Sequence, residues 1–207
     1  MNKQKVLISG ANGTTGRIIV KLLKDSEKYQ PVAMIRKESQ QEFFEKQGIV
    51  TVIADLEKDV THAVEGVDKV IFAAGSKGKN VIGVDQDGAI NLIDASKKES
   101  VQKFVMLSSM GADNPSVSED LEDYLKAKQN ADHHLENSGL NYTIVRPGAL
   151  TDDDGSGKIE LKENLKKFGE ISRADVAKTL VEVLDDEVKD RQTFEILSGE
   201  TPIIEAV

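Results

Sequence analysis

The sequence predicts an α/β fold, a doubly wound parallel sheet with helices on both faces, built as a single domain over residues 1–207. Three observations point there. Short β-rich apolar runs alternate with longer segments of helical period almost to the end of the chain. The strand-like runs are continuously apolar, as strands buried on both faces are. A helix-length segment separates successive strands, which calls for the right-handed crossover that joins parallel neighbours. The chain has 207 residues, 39% hydrophobic and 30% charged, enough to bury a substantial core.

Val6–Ser9 reads as the first strand, its apolar run ending at Gly10. A helix follows over Arg17–Lys24, with Ile18, Ile19, Leu22 and Leu23 on one face. Pro31–Ile35 is the second strand, Glu38–Gln47 a short helix and Val50–Ala54 the third strand. Lys69–Ala73 is the fourth strand, and Gln86–Lys98 a helix that turns Ile90, Leu92 and Ile93 to the core. After the fifth strand, Lys103–Leu107, a long helix from about Leu121 to Asn137 stops at Gly139, which suits a left-handed C-cap. Tyr142–Val145 is the sixth strand, stopped by Arg146-Pro147-Gly148. In the tail, Ser172 caps a helix over Ala174–Leu184, with Asp175 at its third position, and Thr193–Leu197 is the last strand. The portion from about residue 148 is expected to build the substrate side of the same domain. The loops Lys77–Asp85, Gly111–Asp120 and Thr151–Lys158 are expected to line the pocket, the last two as mobile segments.

Composition narrows the function classes. A net charge of −9 argues against direct nucleic-acid binding, because neutralising phosphates needs a basic face. An anionic ligand must instead be met by local cations and helix N-termini. With no cysteine, disulfides, thiolate nucleophiles and cysteine zinc sites are excluded. Lys5 leads into only three apolar residues before Ser9-Gly10, too few for a signal-peptide core or a membrane span, so the expected location is the cytoplasm. No metal site is expected. His62 stands alone, His133 and His134 are neighbours on a helix that point apart, and Asp152-Asp153-Asp154-Gly155 lacks the later glutamate of a calcium loop.

The first strand runs straight into Gly10-Ala11-Asn12-Gly13-Thr14-Thr15-Gly16, and a helix opens at once. A glycine triplet alone says little; between a first strand and a first helix it predicts a dinucleotide site. Gly10 permits the tight turn, Gly13 lets backbone approach a pyrophosphate, and Gly16 lets helix and strand pack closely. The free N–H groups of Asn12, Thr14, Thr15 and their neighbours, at the positive end of the helix, would hold the phosphates. An acidic residue about twenty positions on would select NAD through the ribose 2′-hydroxyl. Arg36-Lys37 stands there instead. A guanidinium grips a 2′-phosphate that a carboxylate would repel, so NADP(H) is expected over NAD(H), with Arg17 able to assist.

The spacing Gly-x-x-Gly-x-x-Gly resembles the extended and atypical members of the short-chain dehydrogenase/reductase superfamily, and further matches follow in order. Asp55-Leu56 ends the third strand, Ala73-Ala74-Gly75 the fourth, and Ser108-Ser109 the fifth. Tyr124 and Lys128 share a face of the next helix, and Pro147-Gly148 follow the sixth strand. The resemblance covers nearly the whole chain and is nearest to the small NmrA-like and biliverdin/flavin-reductase-like group. It implies a Rossmann fold with adenine near Asp55 and Leu56, and the adenosine ribose along Ala73-Ala74-Gly75. It also implies Lys128 on the nicotinamide ribose and Ser108 or Ser109 on the substrate oxygen. An ammonium beside a phenol favours phenolate, which would let Tyr124 exchange a proton with a carbonyl. Many small atypical relatives do not use that tyrosine, so this role stays open.

The expected activity is that of an NADP-dependent oxidoreductase acting on a small-molecule substrate: a carbonyl, quinone or flavin-like acceptor. A monomer or weak homodimer is expected, away from membranes. A sugar-nucleotide epimerase or dehydratase shares the glycine loop and the Tyr/Lys pair, but little chain remains after Gly148 for a sugar-nucleotide pocket. A non-catalytic redox sensor that binds NADP(H) and acts through a protein partner is the third reading.

Overall fold

Both faces of the central strands are apolar, and the structure shows where each face goes. The computed structural model describes residues 3–76 and 78–207; Lys77, at the head of one expected pocket loop, lies outside them. The first half of the chain forms β1 (Gln4–Ser9), α1 (Thr14–Lys24), β2 (Tyr29–Ile35), α2 (Gln41–Glu45), β3 (Val50–Ile53), α3 (Thr61–Val64), β4 (Lys69–Phe72) and α4 (Asp87–Lys98). Then come β5 (Lys103–Leu107), α5 (Glu122–Glu136), β6 (Tyr142–Pro147), β7 (Ala149–Thr151), β8 (Lys158–Lys162) and β9 (Glu170–Ser172). The chain ends with α6 (Arg173–Glu182), β10 (Gln192–Ser198), β11 (Thr201–Pro202) and α7 (Ile203–Ala206).

Nine strands form one sheet in the order β11-β8-β10-β6-β5-β4-β1-β2-β3. Every pair from β3 across to β10 is parallel, and β8 runs antiparallel to β10 and β11. Because side chains alternate along a strand, β1 sends Val6 and Ile8 to one layer and Leu7 to the other. The first layer packs α1 (Ile19, Leu23) and α6 (Val176, Leu180); the second packs α4 (Leu92, Ile93) and α5 (Ala131, Leu135). This is the expected doubly wound Rossmann architecture, helices on both faces of a mostly parallel sheet.

Four departures have physical reasons. The segment Glu38–Gln47 splits into a tight 3₁₀ turn at Glu38–Gln40 and the short α2. Ile90 is only half-buried at the helix rim, while Leu92 and Ile93 fill the core. β6 continues through Arg146 and Pro147, whose carbonyl accepts from Met110 N–H. β7, β8, β9 and β11 are unforeseen, since three are two or three residues long and β8 is an outer strand with lysine at both ends.

The stretch Thr151–Lys158 is tied down by the start of α6. Arg173 donates to Asp152 and to the Leu150 carbonyl, and the Asp175 carboxylate accepts from Ser156 N–H, Gly157 N–H and Ser172 Oγ–H. Ser172 caps the helix by accepting from Asp175 N–H, as expected.

At the opposite edge, two buried lysines are cross-strand neighbours, Lys69 on β4 and Lys103 on β5. Lys69 donates to the Leu184 carbonyl and pairs with Asp186; Lys103 donates to the carbonyls of Asp185 and Val188. Together they gather the chain leaving α6, giving donors to carbonyls just past the helix end. Burial pushes the Lys103 ammonium down from its usual value, with Asp190 opposing. Next to them burial, reinforced by Asp185, Asp186 and Glu182, pushes the Tyr29 phenol up to about 12.

In the unfolded chain Tyr29 ionises near 10, so its linked contribution to stability is intact below that pH and is lost as pH rises toward about 12. Tyr29→Phe should therefore lose less stability than the parent across that window, read as urea midpoints, and its phenolate absorbance titration should lack the step near 12. Parallel decline of both proteins would contradict this.

Candidate functional site

The sheet order reverses between β1 and β4, so the connections leaving their carboxyl ends diverge and open a crevice. Gly10 leaves β1 at φ +80, and a Cβ there would lie 2.6 Å from Ala73 O and Ala74 N. A Cβ on Gly16 would lie 2.1 Å from Gly10 O. These two glycines are required by the protein's own packing, before any ligand is considered. Gly13 differs. Its φ is −74, and a Cβ would meet only Gly10 O at 3.2 Å, with open space elsewhere.

That open space faces the start of α1. The helix has no side-chain cap and no acidic residue in its first turn, and the amides of Thr14, Thr15 and Gly16 find no acceptor among the described residues. Beneath the loop, the buried Ser9 hydroxyl has no partner among the described residues either. Asn12 accepts from the Arg17 guanidinium at 2.7 Å, and that guanidinium lies over the Phe43 ring at 4.2 Å from its centroid. A cation is thereby held beside the first turn.

At the end of β2, Gln40 Oε1 accepts from the backbone N–H groups of Arg36 and Lys37, each at 3.0 Å. Both side chains are exposed, and neither joins an ion pair among the described residues. The turn after β3 is closed by the Asp55 carboxylate accepting from Glu57 N–H at 3.2 Å. Leu56 is buried against Gly88 of α4, and Asn91 donates to its carbonyl. Ala73 and Ala74 follow β4 along the wall of the glycine loop.

Across the crevice, α5 presents Tyr124, Lys128 and Asp132 at successive four-residue intervals, hence on one face. Lys128 is 3% exposed. Its ammonium donates to the Leu107 carbonyl at 3.2 Å, faces Asp85 Oδ1 at 3.9 Å, and lies 5.7 and 5.8 Å from the ring centroids of Tyr124 and Phe72. An ammonium has three protons to donate, and one is placed. The Tyr124 side chain is half-buried, and its hydroxyl has no partner among the described residues. Asp132, fully buried, accepts from Ser108 Oγ–H at 2.8 Å and from Arg146 Nε–H at 3.0 Å. Burial raises the affinity of this carboxyl for a proton, opposed by Arg146 and then by Ser108.

The Ser108 hydroxyl thus points into a buried link between α5 and β6, while Ser109, half-buried, donates to Met110 O at 3.3 Å and stays near the opening. Pro147 and Gly148 lie at the carboxyl end of β6. A Cβ on Gly148 would meet Gly169 O at 2.3 Å, so the segment after β8 rests directly on this position. Two participants escape the sequence reading. Asp85 sits in a π-helical turn, Val81–Gln86, that no periodicity signals, and Asp132 lies one turn past Lys128, where it reads as an ordinary surface acid. Among the described residues no cluster of three His, Asp or Glu side chains could hold a metal, and no helix is long and apolar enough to cross a membrane.

Comparison with known proteins gives the family and the fold. Residues 10–187 match the profile of a family described as NAD(P)H-binding. A Bacillus subtilis protein named as an uncharacterized sugar epimerase, YhfK, is 39% identical over 211 residues and covers 98% of each chain. Sanguinarine reductase from Eschscholzia californica is 29% identical, with 99% of this chain and 92% of the reductase aligned. A solved Bacillus halodurans structure, provisionally named an NAD-dependent epimerase/dehydratase, superposes with a TM-score of 0.94 at 38% identity. It covers 99% of this chain and 98% of its own.

Proposed function

This chain belongs to the NAD(P)H-binding family, and from that premise we propose that it is an NADP(H)-dependent reductase of a small carbonyl, quinone or flavin-like acceptor. The observation that carries the proposal is Lys128: a buried ammonium beside the crevice, with two donors unplaced among the described residues and a tyrosine ring against it. A site for a ribose diol needs such donors. The glycine loop fits the pyrophosphate, because the amides of Thr14, Thr15 and Gly16 lack acceptors among the described residues and Gly13 leaves the space ahead of them open.

In this reading Thr14, Thr15 and Gly16 donate N–H groups to the phosphates, and Arg36, with Lys37 beside it, meets the 2′-phosphate. Asp55 and Leu56 flank adenine, and Ala73, Ala74 and Gly75 run along the adenosine ribose. Lys128 donates to the nicotinamide ribose, while Pro147 and Gly148 bound the far side. When bound, the reduced nicotinamide supplies hydride to the acceptor. Tyr124 delivers the accompanying proton to a carbonyl oxygen, and Ser109 orients that oxygen. Ser108 acts indirectly, by holding Asp132 on the same helix face as Lys128. The chain past Gly148 forms the acceptor side.

The names of two relatives raise the epimerase reading. The segment that would have to build a sugar-nucleotide pocket is spent elsewhere here: β8, β10 and β11 complete the main sheet, and α6 covers it. That favours the reductase. A redox sensor would share the binding site and differ only in lacking turnover.

Two variants test the assignment. Arg36→Ala should weaken NADPH about tenfold, the worth of one charge-assisted contact, and leave NADH nearly unchanged. Equal loss for both nucleotides would remove the 2′-phosphate role. Tyr124→Phe should bind NADPH as the parent does and lose about 10²–10⁴-fold in turnover of a carbonyl acceptor. Turnover equal to the parent's would take Tyr124 out of the chemistry.

A further inference from the structure

Asp85 is a buried carboxylate that no part of the dinucleotide reading uses. It is 2% exposed and sits on a π-helical turn, a conformation rare outside functional sites. One of its oxygens accepts from Ser76 N–H at 3.0 Å, just past the end of β4. The other faces Lys128 at 3.9 Å and lies 3.3 Å from where a Cβ on Gly75 would be. Asp85 therefore touches both walls of the crevice: the β4 connection and the α5 ammonium.

The separation from Lys128 matters. At 3.9 Å the carboxylate compensates charge without taking a proton from the ammonium in a direct hydrogen bond. A closer pair would take a second of its three protons and leave only one for a ligand. Among the described residues no other carboxylate pairs with this ammonium. Around Lys128 stand Tyr124 and Asp132 of its own helix, the Leu107 carbonyl of β5 and the Phe72 ring of β4. Asp132 is committed to Arg146 of β6 and to Ser108. Without Asp85, a buried ammonium would keep only one carbonyl and a carboxylate shared with Arg146 and Ser108.

We propose that Asp85 is a positioning residue: it compensates the Lys128 ammonium, aims it into the crevice, and registers it against the Ser76 amide. The proposal rests on the reading that Lys128 serves the cofactor. Asp85 acts through Lys128 and touches neither nucleotide nor acceptor.

Asp85→Asn is a suitable probe, since it keeps the volume and an acceptor for Ser76 N–H and removes only the charge. NADPH affinity should fall about tenfold relative to the parent, because the ammonium loses its compensating charge and its register. Parent-like affinity in a folded Asp85→Asn protein would overturn the proposal. A second comparison does not require the single variant to fold. Asp85→Asn combined with Lys128→Met leaves no unpaired charge, and it should bind NADPH no more weakly than Lys128→Met alone. A further loss in the double variant would show Asp85 acting independently of Lys128 and would also overturn it. Failure of the parent itself to bind NADPH would count against the cofactor reading, and so is told apart from both results.

Discussion

The contact on which the rest of this structure depends is backbone against backbone at the turn from β1 into α1. Gly16 lies so close to Gly10 that a single Cβ would stand 2.1 Å from a carbonyl oxygen, and a Cβ on Gly10 would stand 2.6 Å from Ala73 O just past β4. Close approach here lowers α1 onto the sheet, where Ile19 and Leu23 join Val176 and Leu180 of α6 in one apolar layer. It also aims the first amides of α1 at the crevice where the strand order reverses. Fold and binding geometry share one constraint, because the glycines that let the layers pack also leave the helix end bare.

Charge is handled locally in a chain that is acidic overall. At the carboxyl edge of the sheet Arg17 and Arg36 flank the glycine loop, and Lys128 stands across the crevice with Asp85 behind it. Arg146, Asp132 and Ser108 lock α5 to β5 and β6 directly below. At the opposite edge Lys69 and Lys103 meet the carbonyls past α6. Among the described residues Lys128 places one of its three donors and Lys69 and Lys103 two each, and this difference separates a cation that can receive a ligand from cations that hold the fold.

The core was legible in the sequence because strands buried on both faces must be apolar throughout; β1, β4 and β5 stand out as unbroken runs. The glycine loop was legible for the same reason, since close packing leaves no other residue available at Gly10 and Gly16. Legibility ended where structure depends on long-range contacts. β8 is set by pairing with β10, although its own residues are mostly polar or charged. The π-helical turn holding Asp85 and the hydrogen bond that draws Ser108 to Asp132 depend on neighbours far along the chain. Tyr124 and Lys128 were legible as a pair on one helix face, but the chain's pattern says nothing of the carboxylates around Lys128.

The central claim is that the space ahead of α1 holds a dinucleotide pyrophosphate. Gly13 tests it most directly, because its backbone is unstrained and a side chain there meets little of the protein itself. The decisive measurement is a calorimetric titration of NADPH into Gly13→Val and into the parent, with circular dichroism and thermal melting run alongside. The account predicts saturable binding to the parent and none to the variant, with native spectra and similar melting temperatures for both. Parent-like affinity in a natively folded Gly13→Val protein would contradict it.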